Sequence, residues 1–236
     1  MSYSEFNKDN IEFYLNELAK EYKKLNRKGP EAEVVLVGGA AMLLSYNFRD
    51  ITTDIDGIIV ASSSFKDAVN IVGDRYNLPN GWLNSDFTKT RSYSPKLREH
   101  SKYYKTFYGC VLVRIIEAEY IVAMKLVSAR IYKKDLSDIV GVLSEQDKIG
   151  KILTKDKIVD AVIALYGDWN VVSEDAKTVL ESALKSNNLS ELYESLRKEE
   201  RENRDALSIA EDNYKRDIKE NNVDEFIKHF RDMIKS

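Results

Sequence analysis

Cysteine, histidine and proline are scarce in this sequence of 236 residues. It contains one cysteine (Cys110), two histidines (His100 and His229) and three prolines. A single cysteine excludes an internal disulfide and a cysteine-rich metal site, and it fits a reducing compartment. With only two imidazoles a zinc site is not expected, so carboxylates are the remaining metal ligands and a hard cation is the metal that they favour.

Long apolar runs and a large net charge are also absent. No uninterrupted apolar stretch is long enough to span a bilayer, and the start, MSYSEFNKDNIEFYLNEL, has no basic region ahead of an apolar run. The net charge is −3, so no global positive field attracts nucleic acid or an anionic membrane. Hydrophobic residues make up 43% of the chain, which is enough for a packed core. We therefore expect a folded, cytoplasmic protein with no membrane partner.

The first half of the chain combines helical and extended patterns. Apolar residues at helical spacing predict an opening helix that ends near NRKGP (26–30), and Ser64 is placed to cap another helix. Four segments read as strands: EVVLV (33–37), DIDGIIV (54–60), KYYKTFYG (102–109) and CVLVRII (110–116). The sequence predicts an α+β fold here, a small mixed sheet flanked by helices.

The second half is helical throughout. Helices are predicted over EAEYIVAMKLVSARIY (117–132) and KKDLSDIVGVL (133–143), and Thr154 and Ser173 are placed to cap two more. Past about Ser190 the residues are mostly charged, which predicts a long solvated helix or a partner surface. Its thin apolar stripe consists of Leu207, Ala210, Tyr214 and Ile218. We expect an α/β domain over residues 1–145 and a helical domain over residues 146–236.

Two glycines and two aspartates stand at the ends of predicted strands. Residues two apart on a strand point the same way, so Asp54 and Asp56 would share a face and could clamp Mg²⁺. Gly38 and Gly39 end the preceding strand, and a turn without Cβ atoms lets backbone N–H groups approach phosphates at a helix start. Each feature alone is common in turns and at strand ends that have no catalytic role. Their order, strand, Gly-Gly, short helix and strand with Asp-x-Asp, favours one site.

A basic segment between Thr88 and Lys105 carries six cations and one acid. Tyrosines are interleaved with the cations, a pattern that suits single-stranded RNA or a tRNA end. A hairpin with a solvated loop, its turn at Pro95, explains the segment equally well. The cations are Lys89, Arg91, Lys96, Arg98, Lys102 and Lys105.

The Gly-Gly, short helix and Asp-x-Asp order resembles the first motif of the polymerase-β-like nucleotidyltransferase superfamily. It is most similar to the DUF6036, AbiEii and MenT-type toxin nucleotidyltransferases, over roughly residues 33–145. The matching residues are Gly38, Gly39, Arg49, Thr53, Asp54 and Asp56, with Thr52 the better positional match for the family's threonine. The resemblance implies Mg²⁺ bound by Asp54 and Asp56, an NTP bound by the other residues of the motif, and transfer of an NMP to an acceptor hydroxyl.

A second motif follows on the predicted helices after residue 117. The resemblance implies that Lys125 and Asp138 are catalytic, with Lys125 offsetting charge and Asp138 orienting Lys125 or acting as a base. It also implies that Arg130 contacts the nucleotide. From the residues alone, an ordinary salt bridge from Lys125 or Arg130 to Asp135 or Asp138 explains the same pattern.

The resemblance also bears on the metal, the acceptor and the partners. A third carboxylate on a neighbouring strand would be Glu117 or Glu119, and the sequence leaves this choice open. The toxin-like match implies an RNA, tRNA or protein acceptor and a cognate antitoxin, in a toxin–antitoxin or phage-defence pair. Two alternatives remain: a small-molecule transferase of the antibiotic type, which an acidic acceptor cleft would support, and a non-catalytic, partner-binding protein that keeps the fold.

Overall fold

The computed structural model describes residues 5–214, 217–219 and 222–235. Residues 1–4, the start of the segment MSYSEFNKDNIEFYLNEL, lie outside the described residues. The chain divides into two compact units, one of Met1–Ile121 and Asp160–Gly167, and one of Val122–Val159 and Asp168–Ser236. The compact units do not test the predicted domain boundary at residue 145, which stays a prediction.

Helices and a five-stranded sheet account for most of the described residues. The strands are β1 (Ala32–Leu36), β2 (Ile55–Val60), β3 (Leu83–Asn84), β4 (Ser101–Phe107) and β5 (Val111–Ile116). The helices are α1 (Lys8–Asn26), α2 (Gly38–Ser45), α3 (Ser64–Tyr76), α4 (Ala118–Ser128), α5 (Asp135–Lys148), α6 (Lys155–Tyr166), α7 (Glu174–Lys185), α8 (Leu189–Tyr214) and α9 (Val223–Lys235). Short 3₁₀ turns occur at Asp86–Lys89, Pro95–Arg98 and Trp169–Val171.

The sheet is mixed, with the strand order β3-β2-β1-β5-β4. The central strand β1 pairs antiparallel with β2 and parallel with β5, whereas β2 pairs parallel with β3 and β4 pairs antiparallel with β5. Val34, Val35 and Leu36 are fully buried, as expected for a strand covered on both faces. Leu36 pairs with Gly57, so the end of β1 lies beside the start of β2.

Helix α1 begins with a capping box and packs against α3. The Asn7 side chain accepts hydrogen bonds from the N–H groups of Asp9 and Asn10, and the Asn10 side chain accepts one from the Asn7 N–H. Just before this helix, Phe6 forms an isolated antiparallel bridge with Thr52. The bridge anchors the segment that leads into β2.

In the second unit, α5 packs against α7 and α8, and α8 packs against α9. The prediction of one solvated helix past Ser190 is wrong, because α8 ends at Tyr214 and α9 packs against the apolar stripe, burying Leu207 and Ala210. The buried cluster between these two helices consists of Ala206, Leu207, Ala210, Val223, Ile227 and Phe230. Within the described ranges, no helix is long and apolar enough to cross a membrane.

The predicted fold class is confirmed: a mixed sheet flanked by helices is followed by a helical region. Several predicted boundaries differ, and two of the differences bear on the candidate site. Helix α4 ends at Ser128 instead of continuing to Tyr132, because Ala129 takes a φ of +41° that a right-handed helix does not accommodate. Strand β2 begins at Ile55, so Asp54 lies in the bend just before the strand.

Candidate functional site

The turn between β1 and α2 is built from Gly38 and Gly39. Gly38 has a φ of +54°, a left-handed conformation that glycine adopts without strain. The N–H of Val37 donates to the carbonyl oxygen of Asp56 (3.0 Å), which ties the turn to β2. The N-cap residue of α2 is Val37, whose side chain makes no capping hydrogen bond, and the N-terminal end of a helix favours an anion.

Gly39 packs closely against Thr52 and Arg49. A Cβ atom on Gly39 would lie 3.1 Å from Cβ of Thr52 and 3.0 Å from Nη2 of Arg49, closer than packed side chains normally approach. The buried Thr52 donates its hydroxyl hydrogen to the carbonyl oxygen of Asp54 (3.1 Å). Thr53 is exposed. Of the two threonines, Thr52 is therefore the one that contacts the glycine turn.

Asp54 and Asp56 flank the buried Ile55 at the start of β2. Asp54 is exposed and Asp56 is half-buried. Because Asp54 precedes the strand, the alternation of strand side chains places Asp56 but does not by itself place Asp54. Oδ2 of Asp56 lies 3.8 Å from the position that a Cβ on Gly38 would take. The Asp56 carboxylate and the glycine turn are therefore neighbours.

The donors beside this turn fit a hard divalent cation that a nucleotide brings with it. Mg²⁺ in nucleotide sites is typically bound by one or two carboxylates together with phosphate oxygens and water, and Asp54 with Asp56 can supply the carboxylates. No group of three or more His, Cys, Asp or Glu side chains in the described part of the chain is arranged to hold a metal.

The second group of predicted residues gathers at the start of α5. Lys125 Nζ lies 2.7 Å from Oδ1 of Asp135 and 2.9 Å from Oδ2 of Asp138. Arg130 Nε donates to Oδ2 of Asp135 (2.8 Å), and the Arg130 backbone N–H donates to the same oxygen. The Lys125 side chain is 13% exposed, and both carboxylates are buried. The interhelix salt bridge expected from the residues alone is present, with Asp135 at its centre.

Asp135 remains ionised although it is fully buried. Burial opposes ionisation of this carboxyl, but the charges and hydrogen bonds of Lys125 and Arg130 outweigh burial and hold the pKa of Asp135 well below its usual range. The sequence did not single out Asp135 for a role. Its contacts with Lys125 and Arg130 hold both cations in place.

Glu200 of α8 adds a contact that the sequence did not predict. Its Oε1 accepts hydrogen bonds from the N–H groups of Leu136 (3.1 Å) and Ser137 (3.0 Å), and its Oε2 accepts one from the Ser137 hydroxyl (2.6 Å). Burial raises the pKa of Glu200, and the hydrogen bonds from Ser137 oppose that shift in part. Since 63 residues separate Glu200 from Ser137, no local pattern signals this contact.

The basic segment between Thr88 and Lys105 is engaged by the protein itself. At least four of its six cations bind other groups of the chain, and one of these pairs is bidentate, with N–O distances of 2.8 and 3.0 Å. This pairing lowers the charge available to phosphates and favours the structural interpretation of the segment. The contacts are Arg98 to Glu33, Lys105 to Glu12, Lys89 to Asp86, and Lys96 to the carbonyl oxygen of Ala164.

An acidic neighbourhood surrounds Tyr120 in the first unit. The Tyr120 ring stacks on His100, with ring centroids 4.0 Å apart. Burial raises the pKa of Tyr120, and the carboxylates of Glu119, Glu117 and Asp160 raise it further. Negative charge therefore accumulates beside this stacked pair.

Comparison with known proteins identifies a family. Neither the curated proteins nor the solved structures gave a match. The model of a family described as nucleotidyltransferase of unknown function (DUF6036) matches residues 14–152. The match spans more than half of the chain and includes both groups of predicted site residues, so the resemblance stated from the motifs is confirmed at the level of the family. The chain belongs to the DUF6036 family of nucleotidyltransferases.

Proposed function

We propose that this chain transfers a nucleoside monophosphate from an NTP to an acceptor hydroxyl in an Mg²⁺-dependent reaction. One observation carries the proposal: the Asp56 carboxylate lies beside the positive-φ Gly38 turn that opens α2, in a member of a nucleotidyltransferase family. A carboxylate favours a cation and a helix N-terminus favours an anion. A magnesium–nucleotide complex offers both charges at one place.

In this proposal the Gly38-Gly39 turn binds phosphate oxygens through backbone N–H groups, and Arg49 beside Gly39 adds positive charge. Asp54 and Asp56 hold Mg²⁺, which when bound supplies neutralisation of phosphate charge. The acceptor oxygen forms a bond to the α-phosphorus while the bond from that phosphorus to the bridging oxygen breaks. Pyrophosphate leaves, and the hydroxyl proton passes to a base.

The roles of Lys125, Asp138 and Arg130 are proposals that come from the family resemblance. Lys125 offsets charge on the phosphates, Arg130 contacts the nucleotide, and Asp138 orients Lys125 or accepts the hydroxyl proton. The ion pairs with Asp135 and Asp138 fix the position of Lys125 but also offset its charge, so this role rests on the resemblance alone. Lys125→Met keeps the approximate length of the side chain without its charge, and we expect it to lower transfer.

The test is a transfer assay with each labelled NTP, Mg²⁺, total tRNA and a cell extract. We expect label on one macromolecular fraction with the unmodified chain and with Asp67→Ala, an exposed aspartate on α3 that serves as the control. We expect no label with Asp56→Ala. Label on RNA assigns an RNA acceptor and label on protein assigns a protein acceptor. Equal labelling by the unmodified chain and Asp56→Ala would overturn the proposal.

The proposed toxin role has its own test. Induced expression of the unmodified chain should arrest bacterial growth, and Asp56→Ala should relieve the arrest at equal protein level. Growth inhibition of the same size with both chains would remove catalysis as its cause. A cognate antitoxin should then bind the chain and suppress the growth arrest.

A second candidate acceptor is a cationic small molecule, such as an aminoglycoside. The acidic neighbourhood of Tyr120 and the internally paired basic segment favour it. Carboxylates attract amino groups, whereas RNA needs unengaged cations. Adding an aminoglycoside to the transfer assay distinguishes the two: label on the small molecule supports this candidate, and label on RNA or protein alone excludes it.

A further inference from the structure

We propose that Glu200 is a positioning residue for Lys125 and Asp138, so that helix α8 sets the geometry of this pair. Glu200 lies outside the family match, which ends at residue 152. The consequence for catalysis rests on the proposed function. The positioning itself concerns only contacts within the second unit and is tested without catalysis.

Glu200 caps helix α5 from another helix. The first N–H groups of a helix have no partners within it, and a side-chain oxygen at the N-cap position usually accepts from them. The N-cap residue of α5 is Lys134, whose side chain has no acceptor oxygen. The Glu200 carboxylate takes its place by accepting from Leu136 and Ser137, and it also places negative charge at the positive end of the helix.

The capping carboxylate is itself held firmly. Glu200 is 4% exposed, and both of its oxygens accept hydrogen bonds. Arg197, one turn earlier on α8, donates to Oε2 at 3.3 Å. A buried carboxylate with these partners fixes the first turn of α5 against α8, because moving either helix would leave buried polar groups without hydrogen bonds.

The capped turn carries the aspartates that hold Lys125. Asp135 also binds Arg130, so it has a second anchor outside the turn. Asp138 is the next residue after Ser137, and its position follows the turn directly. Loss of the cap should therefore release Asp138 from Lys125 more than it releases Asp135.

The experiment measures how fast Lys125 reacts with an amine-directed acetylating reagent, by mass spectrometry of its peptide in the full chain. In Glu200→Ala we expect the rate to rise roughly 3- to 30-fold, the range that corresponds to losing a helix cap. Ser137→Ala, a smaller change, should raise it less. Glu200→Gln should stay close to the unmodified chain, because its amide oxygen still accepts from the two N–H groups.

Two controls separate positioning from general loosening. Glu199→Ala changes the adjacent, more exposed glutamate, which pairs with Arg231. Leu207→Ala weakens the buried α8–α9 cluster without touching α5 directly. Neither should change the Lys125 rate by more than about twofold, which lies below the range expected on removing a cap. An unchanged rate in Glu200→Ala, an equal rise in Leu207→Ala, or failure of glutamine to preserve protection would each overturn the proposal.

The consequence for transfer is measured separately. If the chain transfers nucleotides, Glu200→Ala should lower kcat more than it raises KM for the NTP, and Glu200→Gln should restore most of kcat. If the unmodified chain shows no transfer, the proposed function fails, and the acetylation rates still decide the positioning role.

Discussion

At the level of single residues, the candidate site depends on Gly38 and Asp56. The positive φ of Gly38 turns the chain at the end of β1, and the carbonyl oxygen of Asp56 accepts the N–H of Val37 from the neighbouring segment. These backbone constraints place the Asp56 carboxylate next to the start of α2. A substitution at Gly38 therefore tests backbone strain and the binding of phosphate together, unless a control separates them.

Gly109 provides that control, because it also has a positive φ (+63°) and no atom lies within 4 Å of a Cβ placed there. We expect Gly38→Ala and Gly109→Ala each to lower the free energy of unfolding by about 1–2 kcal/mol, the cost of a left-handed alanine. Only Gly38→Ala should weaken NTP binding, by about tenfold or more, since its methyl group enters the space beside Asp56. Chemical denaturation and nucleotide titration measure the two effects. Equal NTP affinity in both variants would contradict the placement of the phosphates.

At the level of helices, α4 and α5 are joined by ion pairs around a buried carboxylate. Lys125 from α4 and Arg130 from the following turn both bind Asp135, the first residue of α5. Removing one partner of a buried ion pair leaves charge without compensation, which is more costly than never having the pair. Asp135 should therefore matter more to stability than any exposed aspartate of the chain.

We expect Asp135→Asn to lower the free energy of unfolding by about 3–5 kcal/mol near pH 7. The pKa of Asp135 is lowered in the folded chain from an ordinary value of 3.8, so its stabilisation is complete above pH 4 and is lost as pH falls toward the folded value. The difference between the unmodified chain and the variant should therefore shrink below pH 4. Urea denaturation at pH 7 and pH 3 measures it, and a difference that grows on acidification would contradict the assignment.

Local sequence patterns predicted much of the fold and the glycine–aspartate group of the candidate site. Alternation and turn residues predicted the strands around Gly109, and the order of Gly38, Gly39 and Asp56 predicted their proximity. Other features depend on contacts between distant segments. The capping of α5 by Glu200 and the covering of the stripe by α9 required knowing which helices pack together, and the period of a single helix does not contain that information.

At the level of the whole molecule, the ion pairs of the basic segment between Thr88 and Lys105 reduce the positive charge that this segment presents to nucleic acid. Six unengaged cations would give a slope of about −4 for log affinity against log salt on single-stranded RNA. Since at least four of them bind groups of the chain, we expect a shallower slope, measured by fluorescence anisotropy with a labelled oligonucleotide. A slope of −4 or steeper would show that these pairs open to bind phosphates.

The most informative measurement is Mg²⁺-dependent NTP binding to the full chain, by isothermal titration calorimetry. The unmodified chain and Asp67→Asn should bind an NTP in the presence of Mg²⁺ and much more weakly without it. Asp56→Asn keeps the shape of the side chain and removes its charge, so it should lose about tenfold or more of the Mg²⁺-dependent affinity. If all three chains bind the NTP equally, with or without Mg²⁺, Asp56 does not hold a metal–nucleotide complex.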